Sequence, residues 1–198
     1  MNNVLKSGFT LAEVLITLAI IGVIATITIP ALIGNVDSQK NKAAMKVAYS
    51  NIAQAIKLLQ LDGFIFTDNS HFMDALSSKM NYSKKCTSSN SLGNCWSSNS
   101  DIYAGLDPVS IGDSIVLNNG QFIGIAQGVD PSTDSDYKGD AVLMVDSNGI
   151  KPPNKICQDI FYLVYYQDKY LVKPPHDGKV LVGLDEISPT CDGSWINN

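Results

Sequence analysis

Hydrophobic and polar residues are unevenly distributed along this chain of 198 residues, and its first part contrasts with the rest. Twenty residues without a charge, Val14 to Ile33, follow a short polar leader. Counted from Phe9, the apolar run has 25 residues and as a helix spans roughly 37 Å, against roughly 30 Å of membrane hydrocarbon. The pattern predicts a helix that crosses a membrane, and it is too long for the apolar core of a secretory signal peptide.

Beyond this run the apolar positions recur at spacings of three and four, which is the pattern of an amphipathic helix. Asp62-Gly63 supplies a stop, because glycine readily adopts the left-handed conformation of a helix cap. Pro30 is expected to interrupt the helix, since it lacks the N–H that would bind the carbonyl oxygen of Thr26. The apolar face of the amphipathic part is Met45, Ala48, Ile52, Ala55, Ile56 and Leu59.

After residue 63 the pattern predicts a short helix and then strands. The helix covers His71 to Met80, with Ser70 as its N-cap. Asn119-Gly120 lies between two apolar runs and predicts a hairpin. Helix followed by antiparallel strands indicates an α+β fold, with the sheet packed on the amphipathic half of the long helix. The predicted strands are Ser114–Leu117, Gln121–Ile125, Ala141–Val145, Asp159–Gln167 and Tyr170–Lys173.

The charge pattern and the lack of catalytic motifs argue against nucleic-acid binding and against enzymatic activity. The net charge is −5, and all 14 basic residues are lysines. Without an arginine fork or a broad basic patch, no binding of nucleic acid is predicted. No nucleophile, phosphate or dinucleotide motif is present. His71 and His176 are therefore interpreted as structural or solvated, and the chain is not expected to be an enzyme.

The start of the apolar run carries the most informative residues. Lys6-Ser7-Gly8-Phe9-Thr10-Leu11-Ala12-Glu13 places a cation and a small residue before the run and a lone carboxylate in its first turns. Glu13 is one of two glutamates in the chain. A carboxylate at the centre of a bilayer costs about 2.5–3.5 kcal/mol, so some interaction must offset that cost.

These residues resemble the type IV prepilin leader, which type IV pilins share with the pseudopilins of type II secretion. The resemblance implies that prepilin peptidase cleaves between Gly8 and Phe9 and methylates the new amine of Phe9. Glu13 then becomes the fifth residue, and we expect it to pair with the Phe9 amine of a neighbouring subunit. Gly22 and Pro30 also stand where the family has glycine and proline, and the segment at Pro30 is expected to kink or to unwind in a filament.

The resemblance also implies an organisation and a location. Residues 1–8 form a leader that is removed, 9–33 a hydrophobic transmembrane and assembly helix, 34–62 its amphipathic continuation, and 63–198 a globular α+β domain. The chain would cross the bacterial cytoplasmic membrane once, with the domain outside the cytoplasm, and then enter a filament in the periplasm or at the cell surface. Its expected partners are other pilin or pseudopilin subunits, the peptidase and an inner-membrane assembly platform.

Several alternatives stay open at this level. The filament could be a type IV pilus or a type II secretion pseudopilus, and the subunit a major or a minor one. The chain could instead be a single-pass anchored binding protein outside the cytoplasm, such as an adhesin or receptor, that does not polymerise. An anchored enzyme outside the cytoplasm is a further alternative.

Four cysteines lie in the globular part, without a C-x-x-C motif: Cys86, Cys95, Cys157 and Cys191. In a domain outside the cytoplasm disulfides are expected. Three pairings are formally open, and we prefer Cys86–Cys95 with Cys157–Cys191, the second of which resembles the C-terminal disulfide loop of many type IV pilins. Four reduced buried thiols are the alternative.

Aspartates make up all but two of the 19 acidic residues, which raises the question of calcium. Asp146, Asn148 and Asp159 could place oxygens around this cation. The resemblance supports such a site, because major pseudopilins carry calcium near their C-terminal end. The alternative is ordinary turn chemistry, in which Asp and Asn side chains bind the local main chain. No other cofactor is expected.

Overall fold

The computed structural model describes residues 8–96, 111–126, 140–152, 154–156 and 158–174, apart from the side chains of residues 31, 33–35 and 38. The chain divides into two compact units, residues 1–39 and 40–198. Within the described residues, helices α1 and α2 are Leu11–Leu61 and Asn69–Ser78, and strands β1 to β6 are Tyr82–Cys86, Ile111–Leu117, Phe122–Ala126, Ala141–Asp146, Ile160–Tyr166 and Leu171–Lys173.

Helix α1 continues through Pro30, so the expected interruption is not a break in the helix. The fixed φ of proline, near −65°, is itself helical, and the cost of the residue lies in the missing N–H and in crowding against the previous turn. Two threonine hydroxyls on the preceding turns add hydrogen bonds to the main chain. The Oγ1 atoms of Thr26 and Thr28 donate to the carbonyl oxygens of Val23 and Ile24, over 2.8 and 3.0 Å.

The predicted stop at Asp62-Gly63 is confirmed, and α1 ends in a Schellman motif. The N–H of Gly63 donates to the oxygen of Gln60 over 3.1 Å, and that of Phe64 to the oxygen of Leu59 over 3.0 Å. Gly63 has a φ of +70°, as this motif requires. The predicted apolar face is also confirmed, because all six of its side chains are at most 2% exposed.

Helix α2 begins earlier than predicted, and its N-cap is Asp68 rather than Ser70. The Asp68 Oδ1 atom accepts a hydrogen bond from the N–H of His71 over 2.8 Å. Ser70 lies inside the first turn, where its own N–H is one of the groups that a cap must serve. Phe72, Met73, Leu76 and Met80 are the buried face that the pattern predicts; the first three are buried, whereas Met80 lies beyond the end of α2 and is only partly buried.

The six strands form one antiparallel sheet in the order β1-β2-β3-β4-β5-β6. The predicted hairpin between β2 and β3 is confirmed, with Gly120 at a φ of +86°. Strand β1 was not predicted from the pattern. It is an edge strand whose residues are exposed except for Cys86, so it lacks the apolar alternation that identifies a half-buried strand.

Both faces of the sheet are buried, and alternate residues of β3, β4 and β5 point to opposite sides. On one face they pack with apolar residues of α1 and α2 in a single cluster. On the other face they form a second cluster with a tryptophan that follows β1. This arrangement confirms the α+β prediction. The members of the second cluster are Trp96, Ile111, Phe122, Ala126, Val142, Met144, Ile160 and Tyr162.

A disulfide joins Cys86, the last residue of β1, to Cys95, with their Cα atoms 6.0 Å apart. The loop between them is held against β2 by Ser91. The Ser91 hydroxyl donates to the carbonyl oxygen of Gly112 over 2.7 Å and lies 2.8 Å from the Ser114 hydroxyl. The other two cysteines, 157 and 191, lie outside the described residues.

Candidate functional site in the N-terminal helix and the β4–β5 loop

The predicted cleavage site lies just before the first helix. Gly8, Phe9 and Thr10 precede α1, which begins at Leu11, and they have no regular secondary structure. The Phe9 side chain is 88% exposed. A protease reaches such a segment without unwinding a helix. Cleavage between Gly8 and Phe9 stays a prediction.

Glu13 has a partner in its own chain that the sequence analysis missed. Its Oε2 atom accepts from the main-chain N–H of Thr10 over 2.9 Å and from the Thr10 hydroxyl over 2.8 Å. In return the Glu13 N–H donates to the Thr10 hydroxyl oxygen over 3.2 Å. This reciprocal pair is a capping box, and the spacing Thr-x-x-Glu before an apolar run is its sequence signature.

The capping box leaves part of the Glu13 carboxylate available. Within the described part of the chain, its hydrogen bonds reach only Oε2. The carboxylate also sits at the positive end of the helix dipole, where a negative charge is stabilised. The Oε1 atom can therefore meet a further donor while the cap stays intact.

The helix that follows presents a bare apolar surface. Leu11–Pro30 has a mean hydropathy of 2.4 and no residue buried against the rest of the structure. By length and composition it is the one helix among the described residues that could cross a membrane. An apolar surface of this size is typical of contact with lipid or with other helices.

A second cluster of polar residues lies where β4 leads into β5. The buried Asp146 accepts through Oδ1 from the N–H groups of Asn148, over 3.1 Å, and Gly149, over 2.8 Å. The pKa of Asp146 is raised to about 8, chiefly because burial disfavours the charged carboxylate; the nearby charge of Asp159 acts in the same direction, and these two N–H bonds act in the opposite direction. Its carboxylate is therefore costly unless a further positive or donating group faces it.

Asp159 is also fully buried, but N–H donors satisfy both its oxygens. Its Oδ2 atom accepts from the main-chain N–H of Asn154 over 2.8 Å and from Nδ2 of Asn148 over 3.0 Å. Its Oδ1 atom accepts from the N–H of Lys155 over 2.6 Å. The three residues predicted from sequence, at positions 146, 148 and 159, thus do come together, and Asp159 acts as an acceptor for the main chain of the loop.

Asn154, which the sequence analysis missed, occupies the centre of this loop. It is 4% exposed and has a φ of +47°, in the left-handed region that asparagine tolerates better than most residues. One terminal atom of its carboxamide lies 3.2 Å from Oδ2 of Asp146, 3.1 Å from the carbonyl oxygen of Gly149 and 3.2 Å from that of Lys151. With nitrogen at this position, the carboxamide donates to these three oxygens.

The loop offers part of the oxygen set that calcium takes. No group of three or more His, Cys, Asp or Glu side chains that could hold a metal occurs within the described ranges. Calcium, however, also takes carbonyl oxygens, and those of Gly149 and Lys151 lie close to the same carboxamide atom of Asn154 as Oδ2 of Asp146. The Oδ1 atom of Asn148 is moreover buried, and no hydrogen-bond partner for it occurs among the residues that the structure describes, so this oxygen is a further candidate ligand in the same loop.

Comparison with known proteins agrees with the N-terminal features. Residues 5–29 match the family model described as the prokaryotic N-terminal methylation motif, which confirms the predicted motif. Type II secretion system core protein G of Aeromonas hydrophila is 35% identical over 77 residues, which are 37% of this chain and 51% of that protein.

Two further relatives carry the same name. Core protein G of Pseudomonas aeruginosa is 31% identical over 74 residues, and that of Vibrio cholerae is 31% identical over 77, in each case 37% of this chain. These matches cover 51% and 50% of the two relatives, so the chain spans about half the length of the curated relatives it matches. No solved structure matches the chain.

Proposed function

We propose that this protein is a structural subunit of a helical filament of the type IV pilus or type II secretion kind. It is made as a membrane-inserted precursor, cleaved between Gly8 and Phe9, methylated on Phe9, and assembled through its N-terminal helix. One observation carries the proposal: the methylation motif at residues 5–29 leads directly into a helix whose apolar surface has no partner within its own described structure.

The physics of the helix explains how assembly would be directed. Cleavage leaves a charged amine on Phe9, and a neighbour's Glu13 about 4 Å away gains about 4 kcal/mol at an effective dielectric near 20. This gain is similar to the cost of burying the carboxylate, so the pair adds little net stability. Its value lies in register, because in a misplaced helix the Phe9 amine has no partner and Glu13 keeps only its own capping box. Packing between the apolar helices supplies the binding energy.

The names of the relatives favour type II secretion over a type IV pilus. Three proteins called type II secretion system core protein G are similar to this chain, each over 37% of its length. We therefore assign the subunit to a pseudopilus-like filament, with prepilin peptidase and an inner-membrane assembly platform as its transient partners. Before assembly it crosses the cytoplasmic membrane once, with its globular part outside the cytoplasm.

Mass spectrometry of the native protein tests the proposal directly. We expect a chain that begins with N-methylated Phe9. An intact Met1 to Gly8 leader in protein taken from cells would instead indicate the main alternative, an anchored binding protein that does not polymerise. In a second test, Glu13→Gln and Glu13→Leu should abolish filaments at unchanged levels of membrane-inserted protein, and normal filaments from both variants would contradict the proposed pairing.

A second proposal concerns the β4–β5 loop, residues 147–159. The convergence of oxygens on Asn154 supports a structural calcium ion there, with Asp146 as the charged ligand. Bound calcium would neutralise the buried carboxylate and fix the loop at the end of the central strands. Outside the cytoplasm calcium is available at millimolar concentrations, which suits the weak sites of extracellular modules.

A further inference from the structure

We propose that Asn81 carries an N-linked glycan whose first sugar lies in the cleft beside it. Asn81-Tyr82-Ser83 is the one Asn-x-Ser/Thr sequence in the chain, and this sequence is the acceptor motif for N-glycosylation. The proposal rests on the part of the proposed function that places the globular part outside the cytoplasm.

Asn81 lies at the surface, between two elements, as an acceptor of a bulky group must. It follows the end of α2 and directly precedes β1, without regular secondary structure of its own, and it is exposed. Within the described part of the chain its carboxamide makes no hydrogen bond that a sugar would have to replace. Among the described strands none pairs with the outer edge of β1, so the motif is open to an enzyme from that side.

The hydroxyl group of the motif is also accessible. Ser83 is exposed and lies where the register of β1 against β2 shifts, between Tyr82 and Lys84. Its hydroxyl donates to the carbonyl oxygen of Val116 over 3.1 Å. A single exposed hydrogen bond contributes little net stability, so a transferase that recognises the hydroxyl displaces this bond without unfolding the sheet.

A cleft of about 330 Å³ opens beside the Asn81 side chain. Its volume lies within the range of pockets that hold small ligands, about 300–1,000 Å³. Helix α1, the segment after α2 and the turn between β2 and β3 form its walls. Five carboxamide side chains line it: Asn51, Gln54, Asn81, Asn118 and Asn119.

The chemistry of the cleft fits a neutral sugar. Carboxamides donate and accept hydrogen bonds, as sugar hydroxyls do. The side chains of Asn51 and Asn118 make no hydrogen bond within the described residues, so they are available to a sugar. No acidic residue of the described chain lines the cleft, and its one lysine, Lys79, is paired with Asp62. Met80 adds apolar surface for the C–H groups of the ring.

The transfer needs an enzyme and a donor from the cell, an oligosaccharyltransferase and a glycan linked to polyprenyl diphosphate. The bond between the anomeric carbon of the glycan and the diphosphate oxygen breaks, and polyprenyl diphosphate leaves with the electron pair. The anomeric carbon bonds to Nδ2 of Asn81, which gives up one proton. No group is oxidised or reduced.

Mass spectrometry of the full chain, purified from its own host and digested with trypsin, tests the proposal. Trypsin releases the whole motif in one peptide, Met80–Lys84, and we expect this peptide at the mass of a glycopeptide. Asn81→Gln and Ser83→Ala should carry no glycan, whereas Ser83→Thr should keep it. Asn118→Gln is the matched control, because it changes an asparagine of the same cleft outside the motif, and it should keep the glycan.

Thermal melts test whether the sugar lies in the cleft. Wild-type protein made in a host without the transferase is the matched comparison, because its sequence is unchanged. We expect the glycosylated protein to melt about 2–4 °C higher, the shift expected from one or two hydrogen bonds. Asn51→Ala should remove most of this difference and leave the occupancy of Asn81 unchanged. Equal melting temperatures with and without the glycan would overturn its contact with the cleft.

The same digest separates this proposal from the filament proposal. An unmodified Met80–Lys84 peptide in protein from the host overturns the glycan, and together with N-methylated Phe9 it leaves the filament proposal standing. A glycan on Asn81 in a chain with an intact leader gives the reverse result. The wild-type peptide decides by itself, so the proposal does not depend on the folding of any variant.

Discussion

The side-chain nitrogen of Gln121 donates a hydrogen bond to the main-chain oxygen of Ala44 over 2.7 Å. This bond joins residues 77 positions apart and ties the start of β3 to the first turns of α1 in the larger unit. Gln121 is itself buried. Its Oε1 atom accepts from Nδ2 of Asn119 over 2.8 Å, so both ends of the carboxamide are used.

The first prediction concerns this contact. Gln121→Leu keeps the volume of the side chain and removes the bond to Ala44. The oxygen of Ala44 retains its acceptor role within α1, so no buried group is left wholly unpaired, and the free energy of unfolding should fall by about 1 kcal/mol. Thermal melts of the full chain check this value, with Gln39→Leu, at an exposed glutamine of α1, as the matched control. A loss above about 3 kcal/mol would mean that the bond also holds neighbouring packing in place.

Alanine substitutions at two glycines, Gly149 and Gly63, distinguish the cost of a steric clash from the cost of backbone strain. Both Gly149 and Gly63 have positive φ, +72° and +70°. A Cβ atom on Gly149 would lie 2.3 Å from the carbonyl oxygen of Gly120, whereas one on Gly63 would have no neighbour within 4 Å. Gly63→Ala should therefore cost about 1–2 kcal/mol for the left-handed conformation alone. Gly149→Ala should cost clearly more, and equal losses in thermal melts would refute the close approach of the two turns.

The disulfide should contribute measurably to stability. Cys86 and Cys95 close a short loop, with a sequence separation of 9. Chain entropy for a loop of this length amounts to about 2.7 kcal/mol. The free energy of unfolding should fall by up to this amount in the double variant Cys86→Ser with Cys95→Ser. The fall should be smaller if the Ser91 hydrogen bonds still hold the loop in place. Ser91→Ala measures the contribution of the Ser91 hydrogen bonds. A double variant as stable as the wild type would show that the disulfide does not stabilise the protein.

Thr10→Val distinguishes the two roles of Glu13. Valine keeps the shape of threonine and removes the hydroxyl that completes the capping box. The cap is then weakened, at a cost of about 0.5–2 kcal/mol, while the Glu13 carboxylate remains free to meet a neighbour's amine. Filament assays should show assembly for Thr10→Val and none for Glu13→Gln. If both variants fail alike, Glu13 acts through its own helix end and not through a neighbouring subunit.

Asp159→Asn tests whether the hydrogen bonds that Asp159 accepts stabilise the β4–β5 loop. The substitution places an NH₂ group opposite one of the N–H donors of Asn154, Lys155 and Asn148, so a hydrogen bond becomes a contact between donors. Loss of bonds to a charged acceptor predicts a fall of about 1.5–3 kcal/mol in the free energy of unfolding. The fall should appear in EDTA as well as in calcium. A deficit that appears only in calcium would instead make Asp159 a ligand.

Much of the fold was predictable because it depends on local periodicity. The six residues from Met45 to Leu59 repeat at helical spacing, and the glycine after them ends the helix, so both could be recognised without knowledge of the partner surface. Strand β1 could not, since an exposed edge strand needs no apolar alternation and takes its conformation from β2. The N-cap of α2 was placed two residues late, because several residues in that stretch can serve as caps.

The candidate sites, too, were predictable only where they depend on a local sequence pattern. The capping box of Thr10 and Glu13 has a recognisable spacing, and it was overlooked because Glu13 was interpreted only through a neighbouring subunit. Asn154 has no such signature. Its position depends on the closure of a loop that brings Asp146 and Asp159 together across the ends of two strands. Because Asn154 gains its role only when the loop closes, it can be identified from the structure but not from the hydrophobic and polar pattern of the sequence.

The position of β1 at the edge of the sheet affects how copies of this protein would pack in the proposed filament. Among the described residues no strand pairs with the outer edge of β1, and its main-chain N–H and C=O groups would template a strand from the next copy in the proposed filament, where many copies stand side by side. Lys84 and Lys85 occupy the middle of this strand, beside a bulge that follows Tyr82. Lys85 pairs with Asp74 of its own chain over 2.6 Å, so the charge of Lys84 and the broken register are what oppose pairing between the edges of two sheets. In the filament that we propose, neighbouring copies would therefore pack through their helices without edge-to-edge pairing of their sheets.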